Sequence, residues 1–236
     1  MMRVVRNQAI NAMQENLRER ILKQLRSEII SGESPPGTLY SVPALSAELS
    51  VSTTPVREAL LELANTGLVE PVRNRGFRVS RPTKKQLHDL FDMRDLLELQ
   101  AAKLMMDKAS CDTEMLREYA REIERAVNDD DVRAYLIADR SFHDAMFSAS
   151  GNELLAQTAL AFRDRMRLFG IRSGAGIDRQ RESVEEHYRI IDLIEAGEKD
   201  ELLRLLHYHI RSWEPIFAAA LEQDALRHRK KRTLES

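Results

Sequence analysis

The run Ser52-Thr53-Thr54-Pro55-Val56-Arg57-Glu58-Ala59-Leu60 constrains this chain more than any other stretch. A proline within an apolar repeat of period three and four is tolerated in the first turn of a helix, where backbone N–H groups have no internal acceptor to lose. Pro55 therefore marks a helix start with Ser52 as its cap, and Val56, Ala59, Leu60, Leu63 and Ala64 form a buried face that runs to about Asn65. Thr53, Thr54, Arg57 and Leu61 fall on other faces. Small hydroxyls and one arginine at a helix N-terminus suit entry into the major groove of DNA. There, hydroxyls and N–H groups take phosphates, and an arginine can fork onto guanine.

The flanks extend this reading. Residues 41–49 form a short helix carrying Leu45, Ala47 and Leu49, and an amphipathic helix over Leu17, Ile21, Leu25 and Ile29 precedes it. Between them, residues 32–39 contain Pro35-Pro36-Gly37, which is turn chemistry. Residues 67–72 and 76–80 read as two short strands around Arg73-Asn74-Arg75. Three helices followed by a basic hairpin make a winged helix-turn-helix, with Arg73, Arg75 and Gly76 at the wing.

These residues resemble the GntR family of bacterial transcription regulators over roughly residues 15 to 82. The resemblance rests on the Pro35-Pro36-Gly37 turn, Val51-Ser52 through Leu60, Gly67-Leu68-Val69 and the Arg75-Gly76 wing tip. It implies operator DNA as partner, with Ser52 and Thr54 on phosphates and with Thr53, Arg57, Arg73, Arg75 and Gly76 completing the DNA-binding set. Family members usually carry arginine where this chain has Thr53, and often a charged residue where it has Pro43. By resemblance both positions help read the operator, so this head has fewer base-reading cations than its relatives.

The 236 residues are long enough for two modest domains, expected at 1–82 and 83–236. The formal charge of −2 divides unevenly: residues 1–83 hold 11 Lys+Arg and 8 Asp+Glu, against 25 and 30 in the remainder. The basic excess thus lies on the proposed reading head, a modest bias that supports the motif. The single cysteine, Cys111, excludes an intramolecular disulfide and a cysteine-rich metal site. With no long apolar run, a soluble cytoplasmic protein without membrane partners is expected.

From Thr83 onward the pattern is helical, with segments at 84–109, 112–128, 131–149, 152–172, 179–196 and 199–229. Thr83 and Gln86 form a capping-box pattern, Asp112 and Asn152 can cap helices, and Gly151 and Gly197 sit at expected C-caps. Ser173-Gly174-Ala175-Gly176 reads as a loop, and Pro215 should kink or end the last segment. The fold class is mostly α: a winged helix-turn-helix followed by an all-α antiparallel bundle of about six helices.

Interior polar residues carry the chemistry of such a bundle. Asp139 and His143, four apart, share a face with Leu136, Phe142 and Met146. His187 lies in the stripe Val184, Ile191, Ile194, and His209 in the stripe Leu202, Leu205, Leu206, Trp213. One carboxylate and three imidazoles suit zinc, nickel, manganese or iron. Each histidine taken singly reads first as a hydrogen-bonded core residue or a solvated one, ahead of a ligand. His207 faces elsewhere, and His88 and His228 have no matching partners. Arg94, in the stripe Leu87, Leu90, Phe91, Ala101, either forks onto a carboxylate in the bundle cavity or pairs with Glu98 one turn along.

Asp139-Arg140-Ser141-Phe142-His143, Glu186-His187 and His209-Ile210 resemble, in order and spacing, the C-terminal effector domain of the FadR subfamily. Gly151-Asn152 with Leu155 fits it too, and the resemblance covers nearly all of residues 84–225. In many of its members three histidines and one aspartate hold a metal. This implies a divalent ion at Asp139, His143, His187 and His209, zinc first and nickel or manganese as alternatives, with Arg94 as an effector-binding residue.

The combined reading is a homodimeric regulator, a repressor in the first instance, whose helical domain binds a metal and a small organic acid and thereby alters operator binding. A single head offers too few contacts for specific binding, hence the dimer. The alternatives are a direct metal sensor, a fatty acyl thioester receptor, disfavoured by the full metal set, and a helical metallohydrolase or oxygenase. The enzyme ranks low because no acid or base stands beside the candidate metal residues. The basic run from Arg227 to Arg232 reads as a solvated tail in preference to a DNA contact, and residues 1–14 carry no reading.

Overall fold

The structure is a computed structural model that describes residues 17–166 and 171–234. The chain divides into two compact units between Arg81 and Pro82. Residues 1–14 and the side chains of Arg227 to Arg232, on which the sequence reading touched, lie outside the described residues.

The first unit runs α1 (residues 17–30), β1 (Leu39–Tyr40), α2 (Val42–Glu48), α3 (Thr53–Asn65), β2 (Val69–Val72) and β3 (Gly76–Val79). The apolar stripes meet in one core of Leu25 and Ile29 from α1, Val42 and Leu45 from α2, and Val56, Ala59, Leu60 and Leu63 from α3. Burying an aliphatic side chain of this size is worth about 1.5–3 kcal/mol, so this core suffices to dock three short helices. Ala47 is exposed and Val42 takes the inward position at the start of α2. Ser52 holds the N-cap of α3 with extended backbone, yet its hydroxyl makes no cap hydrogen bond. A physical reason is at hand: the third helical residue is Pro55, so one of the two N–H groups that a capping hydroxyl uses does not exist.

The sheet has order β1-β3-β2, antiparallel throughout, with Leu39 opposite Arg78 and Tyr40 opposite Phe77 on one side of β3, and Val69 opposite Val79 on the other. Strand β1 falls in the stretch read as turn, because two residues are too few to show an alternation. Pro71 is accommodated because β2 is an edge strand. Gly76 has φ +120, and a Cβ there would lie 2.0 Å from the Tyr40 carbonyl oxygen. Its place in the wing is therefore set by the approach of β1.

The second unit runs α4 (Lys84–Lys108), α5 (Thr113–Asn128), α6 (Val132–Ser148), α7 (Glu153–Met166), α8 (Gly174–Ala196), α9 (Lys199–Arg211) and α10 (Glu214–Leu234). Thr83 and Gln86 close the reciprocal capping box of α4, Asp112 accepts from the Met115 N–H, and Asn152 accepts from the Leu155 N–H. Gly197 ends α8 at φ 72. The Ser173-Gly174-Ala175-Gly176 run opens α8 instead of forming a loop. The Ser173 hydroxyl accepts from the Gly176 N–H, and the buried Gln180 amide donates to the Ile171 and Gly176 carbonyls. Burial and capping here override the low helix propensity of two glycines. The segment expected at 199–229 is divided at Ser212 and Trp213, with Pro215 in the first turn of α10.

Helix α4 packs on α7 and α9, α5 on α6 and α8, and α8 on α9. Phe91, Met105, Leu116, Phe142, Met146, Phe147, Ile190, Ile191, Leu202 and Leu206 are completely buried between them. Among the described residues no helix is long and apolar enough to cross a membrane.

Gly76→Ala should destabilise the first unit by about 1–3 kcal/mol, through the left-handed backbone and the clash with β1. Urea denaturation checks this, and an unchanged midpoint would show that β1 yields freely.

Candidate metal centre

Helix α6 carries Asp139 and His143 one turn apart, α8 carries His187 and α9 carries His209. All four are buried, at 1% exposure or less, and one donor atom from each lies within 4.8 Å of the others. The three imidazoles converge, with ring centroids 5.5 Å apart for His143 and His187, 5.3 Å for His143 and His209, and 5.0 Å for His187 and His209. Phe142 sets its ring edge-on to His187 at 4.7 Å and to His143 at 5.3 Å, which restricts both rings.

The hydrogen bonds settle which atoms face inward. His187 Nδ1 lies 2.6 Å from the Ser183 carbonyl oxygen, and His209 Nδ1 lies 2.6 Å from Glu186 Oε2. A carbonyl and a carboxylate only accept, so each Nδ1 carries the proton and each Nε2 keeps its lone pair. Asp139 divides its oxygens. Oδ2 accepts from Arg163 Nη2 at 2.9 Å, while Oδ1 lies 3.5 Å from His187 Nε2 and 4.0 Å from His143 Nε2.

His187 Nε2 and both nitrogens of His143 are buried without a hydrogen-bond partner. Leaving a buried polar group unsatisfied costs about 1–3 kcal/mol, so a core with three such atoms, two of them within 4.0 Å of one carboxylate oxygen, is poor packing by itself. A divalent cation bound by one oxygen and three nitrogens would satisfy the lone pairs, and the donor set fits zinc, nickel or manganese. Burial, followed by the nearby Arg163 charge, holds the His143 imidazole well below its ordinary pKa. Burial likewise brings His209 down to about 4, against the opposing pull of Glu186. Both rings are therefore neutral near pH 7, the form that ligates.

Behind the cluster stands a buried ion chain that sequence reading did not find. Arg163 on α7 bonds Asp139 through Nη2 and Glu98 Oε2 through Nη1 at 2.9 Å, and Glu98 Oε1 takes Arg94 Nε at 2.5 Å. Burial alone pushes the Glu98 carboxyl up, but the flanking guanidiniums of Arg94 and Arg163 more than reverse this and keep it ionised. For Arg94 the geometry supplies the intrahelical Glu98 pair. The signal for Arg163 was present in the sequence: the apolar stripe Ala156, Ala159, Leu160 continues onto it. His207 and His88 are exposed and stand on carboxylates, Asp95 and Glu214 respectively.

In the first unit, Ser52, Thr53, Thr54 and Arg57 are exposed on the opening turns of α3, and Arg73 and Arg75 are exposed on the wing loop. Arg57, Arg73 and Arg75 form no ion pair among the described residues. Gly76 is half-buried in the strand that follows.

Residues 17–79 match the bacterial regulatory proteins of the gntR family, and residues 89–212 match the FCD domain. The chain is 30% identical over 193 residues, 81% of its length and 84% of the relative's, to a Paenarthrobacter nicotinovorans protein named "Probable D-xylose utilization operon transcriptional repressor". It is 32% identical over 180 residues to the Nta operon transcriptional regulator of Aminobacter aminovorans, covering 75% of this chain and 82% of that one. Among solved structures, E. coli McbR/YncC has the same fold, with a TM-score of 0.77 at 24% identity over 89% of this chain and 98% of that one.

The depressed imidazoles make stability pH-dependent in the metal-stripped protein. Between about pH 6.5 and about pH 4 the unfolded chain takes up protons that folded His209 and His143 refuse, so folding stability falls as pH falls. His209 alone accounts for a loss on the order of 3 kcal/mol across that window. Urea midpoints measured from pH 7 to pH 4 should decline accordingly, and a flat profile would mean that the rings are not neutral and buried.

Proposed function

This chain belongs to the GntR family of bacterial transcription regulators, and we propose that it is a ligand-responsive repressor whose FCD domain binds a divalent metal together with a small organic acid. The observation that carries this reading is the buried four-donor cluster with unsatisfied nitrogens, in the same chain as a winged helix-turn-helix whose Arg57, Arg73 and Arg75 are exposed and form no ion pair among the described residues. Asp139, His143, His187 and His209 would hold the ion, zinc first among the candidates, and when bound it supplies a Lewis-acidic anchor for an effector carboxylate. The chain's own residues prepare that anchor. Arg163 holds Asp139 by Oδ2, which leaves Oδ1 turned toward the histidines, and Glu98 keeps Arg163 in place. Arg94, bonded to Glu98 from the same helix, is the residue assigned to the effector carboxylate.

On DNA, Arg57 reads a base from the N-terminal half of α3, Ser52, Thr53 and Thr54 engage phosphates or base edges, and Arg73 and Arg75 grip the backbone from the wing, where Gly76 shapes the strand. Two heads on a near-palindromic operator require a homodimer. The sign of regulation follows the similarity to a relative named as a repressor. Couplings between effector and operator of about 1–3 kcal/mol, a change of roughly 5- to 150-fold in affinity, are the scale expected for such a switch.

Arg57→Ala should weaken operator binding by about tenfold or more in a gel-shift titration. Equal affinity would remove α3 as the reading helix. A thermal-shift screen of small carboxylic acids should find one that raises the melting temperature with zinc present and fails to do so after chelation. Operator release by zinc alone would assign the signal to the metal itself.

A further inference from the structure

Glu186 and His187 are neighbours on α8 but serve different rings. His187 turns its own Nε2 toward Asp139, whereas the Glu186 carboxylate reaches across to α9 and takes the Nδ1 proton of His209 at 2.6 Å. Glu186 is itself held. Arg179, two turns earlier on α8 and buried at 3% exposure, donates from Nη2 to Glu186 Oε2 at 2.5 Å. The same guanidinium donates from Nε to the Ser212 hydroxyl at 2.7 Å and lies 5.6 Å from the centre of the Trp213 ring, so it is fastened to the chain just beyond His209. One carboxylate oxygen is thus shared between a fixed guanidinium and an imidazole.

The three rings differ in what aims them. His187 is held by a peptide carbonyl, which no side-chain substitution removes, and His143 has no hydrogen-bond partner at either nitrogen. His209 alone of the three depends on an ionised side chain. An ion pair that served packing alone would be complete with Arg179 and Glu186. The additional contact to Nδ1 has a consequence for the ring: it sets the tautomer and presents Nε2 as the donor atom, the arrangement by which a carboxylate orients a ligating histidine.

We propose that Glu186, held by Arg179, is the positioning residue for His209, fixing the proton on Nδ1 and thereby leaving Nε2 available to a divalent metal. The assignment rests on the metal reading above, and its role is distinct from that of the four donors because Glu186 does not face the cluster through an oxygen of its own.

The test uses the full-length chain, stripped of metal and titrated with zinc against a chromophoric chelator, in wild-type form and as Glu186→Gln. Glutamine preserves volume but replaces the charged acceptor. Glu185→Gln, one residue earlier and exposed to solvent, serves as control. In parallel, histidine-selective nitrogen NMR on the metal-free wild-type protein reports the tautomer of His209 and needs no variant to fold. The expected results are an Nδ1–H tautomer for His209, zinc affinity about 10- to 100-fold weaker in Glu186→Gln, and no change in Glu185→Gln. An Nε2–H tautomer in the wild type, or a Glu186→Gln affinity within twofold of wild type, overturns the assignment. A wild-type protein that takes up no zinc would instead overturn the metal reading on which it rests.

Discussion

A carboxylate enclosed in a helical core is costly unless its charge is balanced and its lone pairs are used, and Asp139 meets both conditions from opposite sides. Its Oδ2 is held by Arg163, and its Oδ1 is turned into a space bounded by three imidazoles. Arg163 in turn needs Glu98, and Glu98 is flanked by Arg94, so charges alternate along a chain from α6 through α7 to α4. Taking out one member of a buried pair costs about 3–5 kcal/mol, because the partner stays behind uncompensated. The position of the candidate ligands is therefore tied to the packing of three helices.

The two units solve opposite problems. In the first, short helices and a three-stranded sheet hold cations outward, and the departures from simple rules occur where they leave polar groups available. Ser52 does not close its own cap, and Arg57, Arg73 and Arg75 have no acidic partner among the described residues. In the second, charges are turned inward and every one of Glu98, Asp139, Arg163 and Arg179 is buried with a partner. Under the proposed function, α3 offers a single cation, Arg57, so the wing arginines would carry more of the DNA attraction.

Much of the architecture was legible in the residues. Pro55 and the stripe from Val56 to Leu63 placed α3, and the Thr83 and Gln86 pattern placed the start of α4, because a proline and a cap act locally and leave a local mark. Asp139, His143, His187 and His209 were visible as polar residues on apolar faces, and the family resemblance joined them into one set, as the structure does. What escaped was written in three dimensions. The pairing of Leu39 and Tyr40 with β3 depends on Arg78 and Phe77, 39 and 37 residues further along the chain. The helical start at Gly174 depends on buried contacts of Gln180. Arg163 looks in the sequence like an ordinary charged helix residue, Glu98 offers itself only to Arg94 one turn back, and Glu186 stands beside His187 with no evident partner, since a sequence shows that a charge sits in a stripe and not which partner it finds there.

The central claim is that the buried Asp139, His143, His187 and His209 form a metal centre. An anomalous-difference map from crystals of zinc-loaded protein, collected on either side of the zinc edge, tests it most directly. The account predicts one peak per chain among these four side chains, about 2.0–2.2 Å from Asp139 Oδ1 and from one nitrogen of each histidine. A map with no peak there, or with zinc only at the exposed His88 and His207, would contradict it.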